Sequence, residues 1–327
     1  MNFLKKIIIK LCRSFGLELI DQNTFFSPTI GKNLIKNSEH KNKSIVIPLG
    51  KVQITNKINK LLIIFRTNSN IHIWDQNKKR IFEEPKSEYV KRSLNSLVKS
   101  VDHIKKIKDI DISLVVVNNG SNLSDNDFLK NKIQSNNFHS KIINHKNSKH
   151  KGIIKNQKTD ETFGNLSSLL ECFEIAKNCN HDLIYFVEDD YIHLTTCINE
   201  MIDTYERVSS QIKKELFICP SDYPFNYTNM DKCTVLIGSK RHWRTIDKTL
   251  CTFMTSKKNI DLYWDNFFKT CLDRNEPFER HLNELYLKEI CISPIKSLAI
   301  HMTNMNSSYG LSPFIDYKKL WEENKND

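Results

Sequence analysis

The chain has 327 residues, of which 39% are hydrophobic and 27% are charged, values that suit a globular protein of one or two domains. This composition excludes wholesale disorder and a polytopic membrane protein. The eight glycines are too dispersed to form a dinucleotide-binding fingerprint or a Walker-type phosphate loop. The net charge of +11 favours anionic partners (nucleic acid, an anionic membrane surface or phosphorylated small molecules), unless lysine and asparagine are simply abundant throughout.

The nine cysteines are odd in number, scattered, and never spaced as C-x-x-C. A zinc ribbon and a thioredoxin-like pair are therefore not expected. Free cysteines of this kind suit a reducing compartment, so the expected location is the cytoplasm.

Residues 1–20 combine an apolar stripe with lysines and Arg13 along its flanks, and the apolar run is too short to span a bilayer. A secretory signal peptide is not expected, because lysines interrupt the apolar stretch. The pattern is typical of a basic amphipathic helix lying on an anionic membrane surface, here the inner face of the membrane. Docking of this helix on the protein's own body is the alternative. Residues 21–55 indicate a connector, so residues 1–55 are expected to form an N-terminal extension.

Strand and helix patterns alternate over the next part of the chain. Apolar strands are predicted at 61–65, 112–117, 141–143 and 183–187, with helices at 88–107 and after Gly164-Asn165. Strands apolar on both faces belong in a parallel sheet covered by helices. The sequence therefore predicts an α/β fold with a mostly parallel central sheet flanked by helices, in one catalytic domain over residues 56–315. Residues 316–327 are expected to form a C-terminal tail.

Polar residues follow three of these strands. They are Arg66-Thr67, Asn118 to Ser121, and Glu188-Asp189-Asp190. Ligands of open α/β sheets bind at the carboxyl ends of the strands, so these segments are expected to meet at one edge. Adjacent carboxylates can hold a divalent cation such as Mg²⁺ or Mn²⁺, which could bridge a diphosphate. The alternative is a solvated acidic turn that caps a helix.

Together, the segments LLIIFRT, ISLVVVNNGS, GNLSSLLECFEIA and LIYFVEDD resemble nucleotide-sugar glycosyltransferases of the GT-A (Rossmann-like) fold, similar to glycosyltransferase family 2. The resemblance spans roughly residues 60–305. It implies a hexosyltransferase that uses a nucleoside-diphosphate sugar, with a UDP-sugar as the default, and a glycan or glycolipid acceptor, as in polysaccharide biosynthesis. It also implies Mn²⁺ or Mg²⁺ as the cofactor.

The resemblance also implies roles for individual residues. The metal ligands would be Asp190, Glu188 and His301. The donor would be bound by Arg66, Thr67, Asn118, Asn165, Glu188, Asp189 and Arg244. Glu279 is the candidate general base, with Glu284 and Glu276 behind it, and inversion is expected because the sequence offers a base candidate but no obvious nucleophile.

Residues of the second half suggest an acceptor site. Asp222 ends a predicted strand in a polar turn, and the ring of Trp243 could stack on a sugar face. Arg244 beside it could grip phosphate oxygens. A solvated basic turn is the alternative reading of residues 240–244.

Two other function classes remain open at this point. A metal-dependent nuclease or nucleotidyltransferase also uses carboxylates and a basic surface, but needs further acids that converge on two metals. A basic nucleic-acid-binding protein would carry an RNP strand, zinc ligands or a GXXG loop, and none is present, so no nucleic-acid partner is expected. An inactive GT-A-like scaffold is the remaining possibility.

Overall fold

A computed structural model describes residues 3–17, 52–70, 80–155, 159–228, 232–303 and 305–325. The chain divides into two compact units, residues 1–53 and residues 54–327. In the first unit, helix α1 (Phe3–Ser14) exposes the apolar side chains of Leu4, Ile7, Ile8 and Leu11. The expected connector over residues 21–55 lies mostly outside the described residues. No helix within the described ranges is long and apolar enough to cross a membrane.

The larger unit is built on a nine-stranded sheet. Its strands, in sheet order, are β3 (His139–Asn144), β2 (Asp111–Asn118), β1 (Lys60–Thr67), β4 (Leu183–Glu188), β9 (Phe253–Ser256), β6 (Phe217–Ile218), β10 (Cys291–Pro294), β8 (His242–Ile246) and β7 (Val235–Ile237). Strands β8 and β9 run opposite to the other seven. A second, two-stranded sheet pairs β5 (Tyr191–His193) with β11 (Ala299–His301). The predicted α/β class with a mostly parallel central sheet is confirmed.

Helices cover both faces of the central sheet. In the larger unit they are α2 (Lys86–Lys105), α3 (Leu123–Gln134), α4 (Asp160–Lys177), α5 (Cys197–Ile212), α6 (Lys257–Leu262), α7 (Trp264–Leu272), α8 (Arg280–Tyr286) and α9 (Tyr317–Glu322). Successive residues of β1 enter different cores: Leu61 and Ile63 pack with α2 and α5, whereas Leu62 packs with α4, α7 and α8. Each such buried leucine or isoleucine contributes about 1.5–3 kcal/mol. This two-sided burial explains why β1, β2 and β4 are apolar without alternation.

Some element boundaries differ from the sequence prediction. Helix α4 begins at Asp160, so Asn165 lies within the helix; the Thr159 side chain caps it by accepting a hydrogen bond from the amide of Thr162. Residues 257–286 form three short helices, α6, α7 and α8. Pro277 lies between α7 and α8, and its missing N–H does not allow one helix to run through.

The segment expected to be a C-terminal tail packs into the larger unit. Trp321 of α9 is buried, and the guanidinium of Arg92 lies 4.2 Å from the centroid of its ring. Nη1 of Arg92 also donates to the carbonyl of Trp321 at 2.7 Å, and Phe82 stacks on the ring with centroids 4.5 Å apart. These contacts hold residues 316–325 in the larger unit. Burial of the large apolar surface of the indole stabilises this arrangement.

Candidate active site

The carboxyl ends of β1, β2 and β4 meet at one edge of the sheet. The register pairs Arg66 with Glu188, and Thr67 with Asn118. A cavity of about 310 Å³ opens at this edge. Its lining includes Arg66, Asn165, Glu188, Asp190, Glu279 and His301. With Glu276, which also lines it, seven of the residues singled out from the sequence share one cavity.

Arg66 is anchored by two partners in this cavity. Nη1 donates to Oδ1 of Asn165 at 2.6 Å, and Nη2 pairs with Oε1 of Glu188 at 2.6 Å. Burial opposes the charge of Arg66, but the carboxylate of Glu188 and other neighbouring groups raise its pKa above the usual value. The pKa of Glu188 is also raised, by burial and by Asp190, against the lowering effect of Arg66. The guanidinium is thus held charged beside the cavity, where it could meet an anionic ligand.

Asp189 faces away from the cavity and ties β4 to β1. Its Oδ2 accepts hydrogen bonds from the Thr67 hydroxyl and from the Asn68 amide, both at 2.9 Å. Its Oδ1 lies 2.6 Å from Nζ of Lys86. Thr67 and Asp189 were expected to contact the donor. The structure instead engages both in holding the strand ends together, because their polar atoms are buried and paired with each other.

Asp190 and His301 form the candidate metal centre. Nε2 of His301 lies 3.4 Å from Oδ2 of Asp190, and Nδ1 donates to the carbonyl of Tyr309 at 2.7 Å. That bond leaves Nε2 facing the carboxylate, the arrangement typical of a metal-binding histidine. The ring also stacks on Tyr191, with centroids 4.7 Å apart.

The donor atoms of this centre fit a divalent cation. Oδ1 of Asp190 is buried and has no hydrogen-bond partner among the described residues. Burial acts to raise the pKa of Asp190, but Lys86 and His301 outweigh it, and the pKa lies below its usual value. The carboxylate is therefore ionised, with one oxygen available. Carboxylate oxygens with an imidazole nitrogen suit Mn²⁺, or Mg²⁺ through the oxygens.

Lys86 was not singled out from the sequence. Its Nζ lies 3.6 Å from Oδ2 of Asp190, in addition to its shorter contact with Asp189. Lys86 is the first residue of α2, where the helix dipole disfavours a positive charge. A lysine at the start of a helix is therefore a weak sequence signal that a nearby carboxylate compensates its charge.

The three candidate acids differ in their surroundings. Glu279 and Glu276 line the cavity. Burial, and then the charge of Glu188, raise the pKa of Glu279 to about 7. Glu284 is not among the described residues that line the cavity; its carboxylate contacts His281 at 3.2 Å and Arg280 at 3.7 Å. The structure thus favours Glu279 over Glu284 as a proton acceptor at the cavity.

Asn118 supports the turn that follows β2. Its Nδ2 donates to Oδ1 of Asn126 at 2.5 Å and to Oδ1 of Asn144 at 3.2 Å. Its Oδ1 accepts from the amide of Ser121 at 3.1 Å. These bonds occupy both ends of the buried amide, so contact of this side chain with a nucleoside would require that some of them break.

Asp222 and Arg244 pair with each other in place of lining the cavity. Nη2 of Arg244 contacts Oδ1 of Asp222, and the Tyr227 hydroxyl donates to Oδ2 at 2.6 Å. The guanidinium lies 4.4 Å from the centroid of the Tyr227 ring. Both charges are thereby satisfied within the protein, and neither residue is among the described ones that line the cavity.

Trp243 does not offer a ring face to a sugar. Its side chain is fully buried, at 0% exposure, in the core that also contains α5. The backbone of Gly238 runs so close to it that a Cβ there would lie 2.3 Å from the indole nitrogen. The expected stacking role is therefore corrected: the ring belongs to the core formed with residues of α5 such as Met201 and Tyr205.

A group of partly exposed aromatic residues lies beside His301. Phe225 and Tyr309 stack with ring centroids 5.3 Å apart, and Nζ of Lys248 lies 4.9 Å from the centroid of Phe225. Tyr309 is the residue whose carbonyl holds His301. Sequence reasoning missed this pair because its members are distant in the chain and each lies in a turn without periodic pattern.

Comparison with solved structures identifies distant structural neighbours. No protein-family model matches the chain, and no curated protein matches it. A UDP-glucose pyrophosphorylase complexed with UDP-glucose is 8% identical, with 82% of this chain and 100% of that chain covered and a TM-score of 0.41. S. aureus TarS 1–349 is 13% identical, with 73% and 59% covered and a TM-score of 0.39. The galactosyltransferase LgtC, in complex with donor and acceptor sugar analogues, is 10% identical, with 69% and 70% covered and a TM-score of 0.36. Likenesses at this level carry no argument about the activity of this chain.

Proposed function

We propose that this protein is a metal-dependent glycosyltransferase of the hexosyltransferase type. It would move a sugar from a nucleoside-diphosphate sugar, with a UDP-sugar as the first candidate, to a hydroxyl of a glycan or glycolipid, with inversion. One observation carries the proposal: the carboxylate of Asp190 with His301, the partly buried cation Arg66 and the partly buried acid Glu279 all line one cavity at the carboxyl edge of a mostly parallel sheet. Diphosphate binding and hydroxyl activation need these three kinds of group.

Asp190 and His301, with Glu188 beside them, would hold Mn²⁺ or Mg²⁺. When bound, the cation would neutralise charge on the diphosphate of the donor. Arg66 would add a fixed positive charge to the same cavity, and Asn165 keeps its guanidinium in place. Lys86 supplies a counter-charge to Asp189 and Asp190 when the cation is absent.

Glu279 would accept the proton of the acceptor hydroxyl. In a single displacement, the bond between the acceptor oxygen and the anomeric carbon forms as the bond to the diphosphate oxygen breaks. The electron pair leaves with the nucleoside diphosphate, and the proton moves to the carboxylate of Glu279. A carboxylate with a pKa of about 7 is a better proton acceptor than an ordinary glutamate, and about half of it is ionised at neutral pH.

The aromatic pair Phe225 and Tyr309 would form the acceptor platform. Both rings are partly exposed beside His301, and a sugar face stacks well on such a surface. Asp222 and Arg244 would support this surface through Tyr227. In this proposal Phe225 and Tyr309 take the acceptor role that the sequence suggested for Trp243.

Thermal melting with nucleotides tests the donor site. UDP, GDP, CDP and TDP are each added with and without Mn²⁺ to the wild type, to Asp190→Ala and to Asp127→Ala, an exposed aspartate of α3 as the control. At 100 times its Kd, a ligand stabilises the fold by about 2.7 kcal/mol. We expect one diphosphate to raise the melting temperature of wild type and Asp127→Ala in a metal-dependent way, and not that of Asp190→Ala.

Other outcomes contradict the proposal. Stabilisation by nucleoside triphosphates with no response to diphosphates would favour a nucleotidyltransferase. No response to any nucleotide, together with salt-dependent binding of random DNA, would favour a nucleic-acid-binding protein.

We also propose that α1 attaches the protein to the inner, cytoplasmic face of a membrane. The support is the exposed apolar stripe Leu4, Ile7, Ile8 and Leu11 on a helix whose sequence is rich in lysine.

A further inference from the structure

A second group of histidines and glutamates lies between β3 and α4. His145 directly follows β3, and His150 ends the short 3-10 turn Asn147–His150. Glu171 and Glu174 project from α4 toward them. Nε2 of His150 lies 3.3 Å from Oε2 of Glu174, and Nδ1 of His145 lies 3.4 Å from Oε2 of Glu171. Both imidazoles have side chains only 1% exposed.

Ser167 holds both rings in this orientation. Its hydroxyl lies 2.8 Å from Nε2 of His145 and 2.8 Å from Nδ1 of His150. A hydroxyl oxygen can accept two hydrogen bonds. If both rings donate to Ser167, their other nitrogens carry no proton and present their lone pairs on the side of the glutamates. Such an oriented imidazole is the usual state of a metal-binding histidine.

We propose that His145, His150, Glu171 and Glu174 form a second divalent metal site, of the zinc type, separate from the candidate active site. Two imidazoles with two carboxylates are a donor set that zinc accepts in a tetrahedral site. Buried Nδ1 of His145 has no hydrogen-bond partner among the residues that the structure describes, although it points at Glu171. That atom is the second observation, beyond the clustering of acids, that points to a ligand.

Three of the four proposed ligands require only a small contraction. The ligand atoms of His150, Glu171 and Glu174 all lie within 4.8 Å of one another. Ligand atoms around a tetrahedral zinc at its normal bond lengths are about 3.4 Å apart. Rotation of the two long glutamate side chains, of which Glu171 is buried and Glu174 is partly exposed, can supply this change.

The ammonium group of Lys149 lies between the two carboxylates, where the metal ion is proposed to bind. Its Nζ lies 2.6 Å from Oε2 of Glu171 and 2.7 Å from Oε2 of Glu174, so an ammonium bridges the two carboxylates. The side chain of Lys149 is 48% exposed and can move into solvent. A metal ion would replace this charge and could also be coordinated by the two imidazole nitrogens.

Bound metal would fasten the 145–150 segment to α4. The same helix carries Asn165, whose amide oxygen holds Arg66 in the candidate active site. The second site would therefore stabilise a supporting element and would take no part in the chemistry.

Zinc binding is tested on the full chain with Asp190→Ala, so that the candidate active site does not contribute. Metal content after dialysis, the melting temperature with and without Zn²⁺, and the visible spectrum of the Co²⁺ form are measured. We expect one zinc per chain, a higher melting temperature, and the intense absorption of tetrahedral Co²⁺. His150→Ala or Glu171→Gln should abolish all three, whereas His139→Gln, an exposed histidine of β3, should leave them unchanged.

Lys149→Met provides a test that does not depend on losing a ligand. Without metal, this variant should melt at a lower temperature than its parent, because two carboxylates lose their counter-charge. Zinc should restore its stability and should bind about tenfold more tightly than to the parent, because no ammonium competes.

The proposal is overturned if zinc is not retained, or if retention and the thermal shift are the same in His150→Ala and Glu171→Gln as in the parent. It is also overturned if zinc fails to stabilise Lys149→Met; the cluster would then be a lysine-centred hydrogen-bond network. Neither result bears on donor binding at Asp190.

Discussion

At the scale of single residues, the charges of the candidate active site depend on one another. Arg66 is paired with Glu188, and Glu188 in turn raises the pKa of Glu279. Lys86 and His301 keep Asp190 ionised. A partly buried acid with a raised pKa close to a candidate cation site is the arrangement expected of a general base.

Replacing Glu279 by Gln tests that role. The amide keeps the size of the side chain but accepts no proton, so we expect kcat to fall by about 10²–10⁴-fold. Nucleoside-diphosphate binding should change little, because Arg66 and Asp190 remain. Steady-state kinetics and melting with the diphosphate separate the two effects.

Glu284→Gln is the matched control, because Glu284 lies at the surface of α8 with His281 and Arg280. Equal losses of kcat in the two variants would remove Glu279 from the mechanism.

The pKa of Glu279 also predicts how stability depends on pH. Burial raises it from its ordinary value of 4.5 to about 7, so between these values the unfolded chain has lost a proton that the folded chain retains. The free energy of unfolding should therefore fall as the pH rises through this window, by up to about 3 kcal/mol from this group. The loss is complete above the folded-state pKa.

Denaturant titrations of the metal-free protein at pH 4.5 and pH 8 measure this effect. Glu279→Gln should lose that part of the pH dependence and be more stable than the wild type at pH 8. If the free energy of unfolding changes equally between the two pH values in the wild type and the variant, the carboxyl of Glu279 is not buried in the folded protein.

At the scale of elements, a local sequence signal sets where a helix begins, and packing against other elements stabilises it. Thr159 caps α4, while the buried face of that helix packs on β1 and β2. Helix α1 has an apolar stripe that is exposed in the described structure. An exposed stripe of this size on a basic helix predicts association with an anionic lipid surface.

Leu11→Asp should weaken that association by about tenfold or more, because it removes an apolar side chain that would enter the lipid and adds a charge that anionic lipid repels. Sedimentation with vesicles that contain anionic lipid measures the bound fraction. Leu123→Asp, at the exposed start of α3, is the control and should bind as the wild type does. Identical binding of all three proteins would exclude α1 as the membrane contact.

At the scale of the whole molecule, the C-terminal segment closes the core that contains Phe82, Tyr89 and Trp321. Trp321→Ala should lower the free energy of unfolding by about 3–5 kcal/mol, as expected for a large aromatic removed from a core. Lys318→Ala, on the exposed side of the same helix, should change it by less than about 0.5 kcal/mol. Chemical denaturation measures both. A small effect of Trp321→Ala would mean that α9 is a tail, as the sequence suggested.

The sequence by itself determined the sheet and the edge at which the site lies. Strands such as LLIIF and LIYFV are apolar on both faces, and such strands are stable only when helices cover both sides of the sheet. Polar residues that end these strands then meet at one edge, as Arg66, Glu188 and Asp190 do.

Tertiary structure alone decided which polar residues face the cavity. Arg66 and Glu188 are 122 residues apart, and the partners of His301, Lys86 and Trp243 likewise come from other elements. The sequence pattern shows which residues are polar or apolar, but it does not show which way a side chain points where the chain leaves a loop. Trp243 is buried and Lys86 lies beside Asp190 because neighbouring strands and helices leave each side chain one low-energy environment, and that environment exists only in the folded molecule.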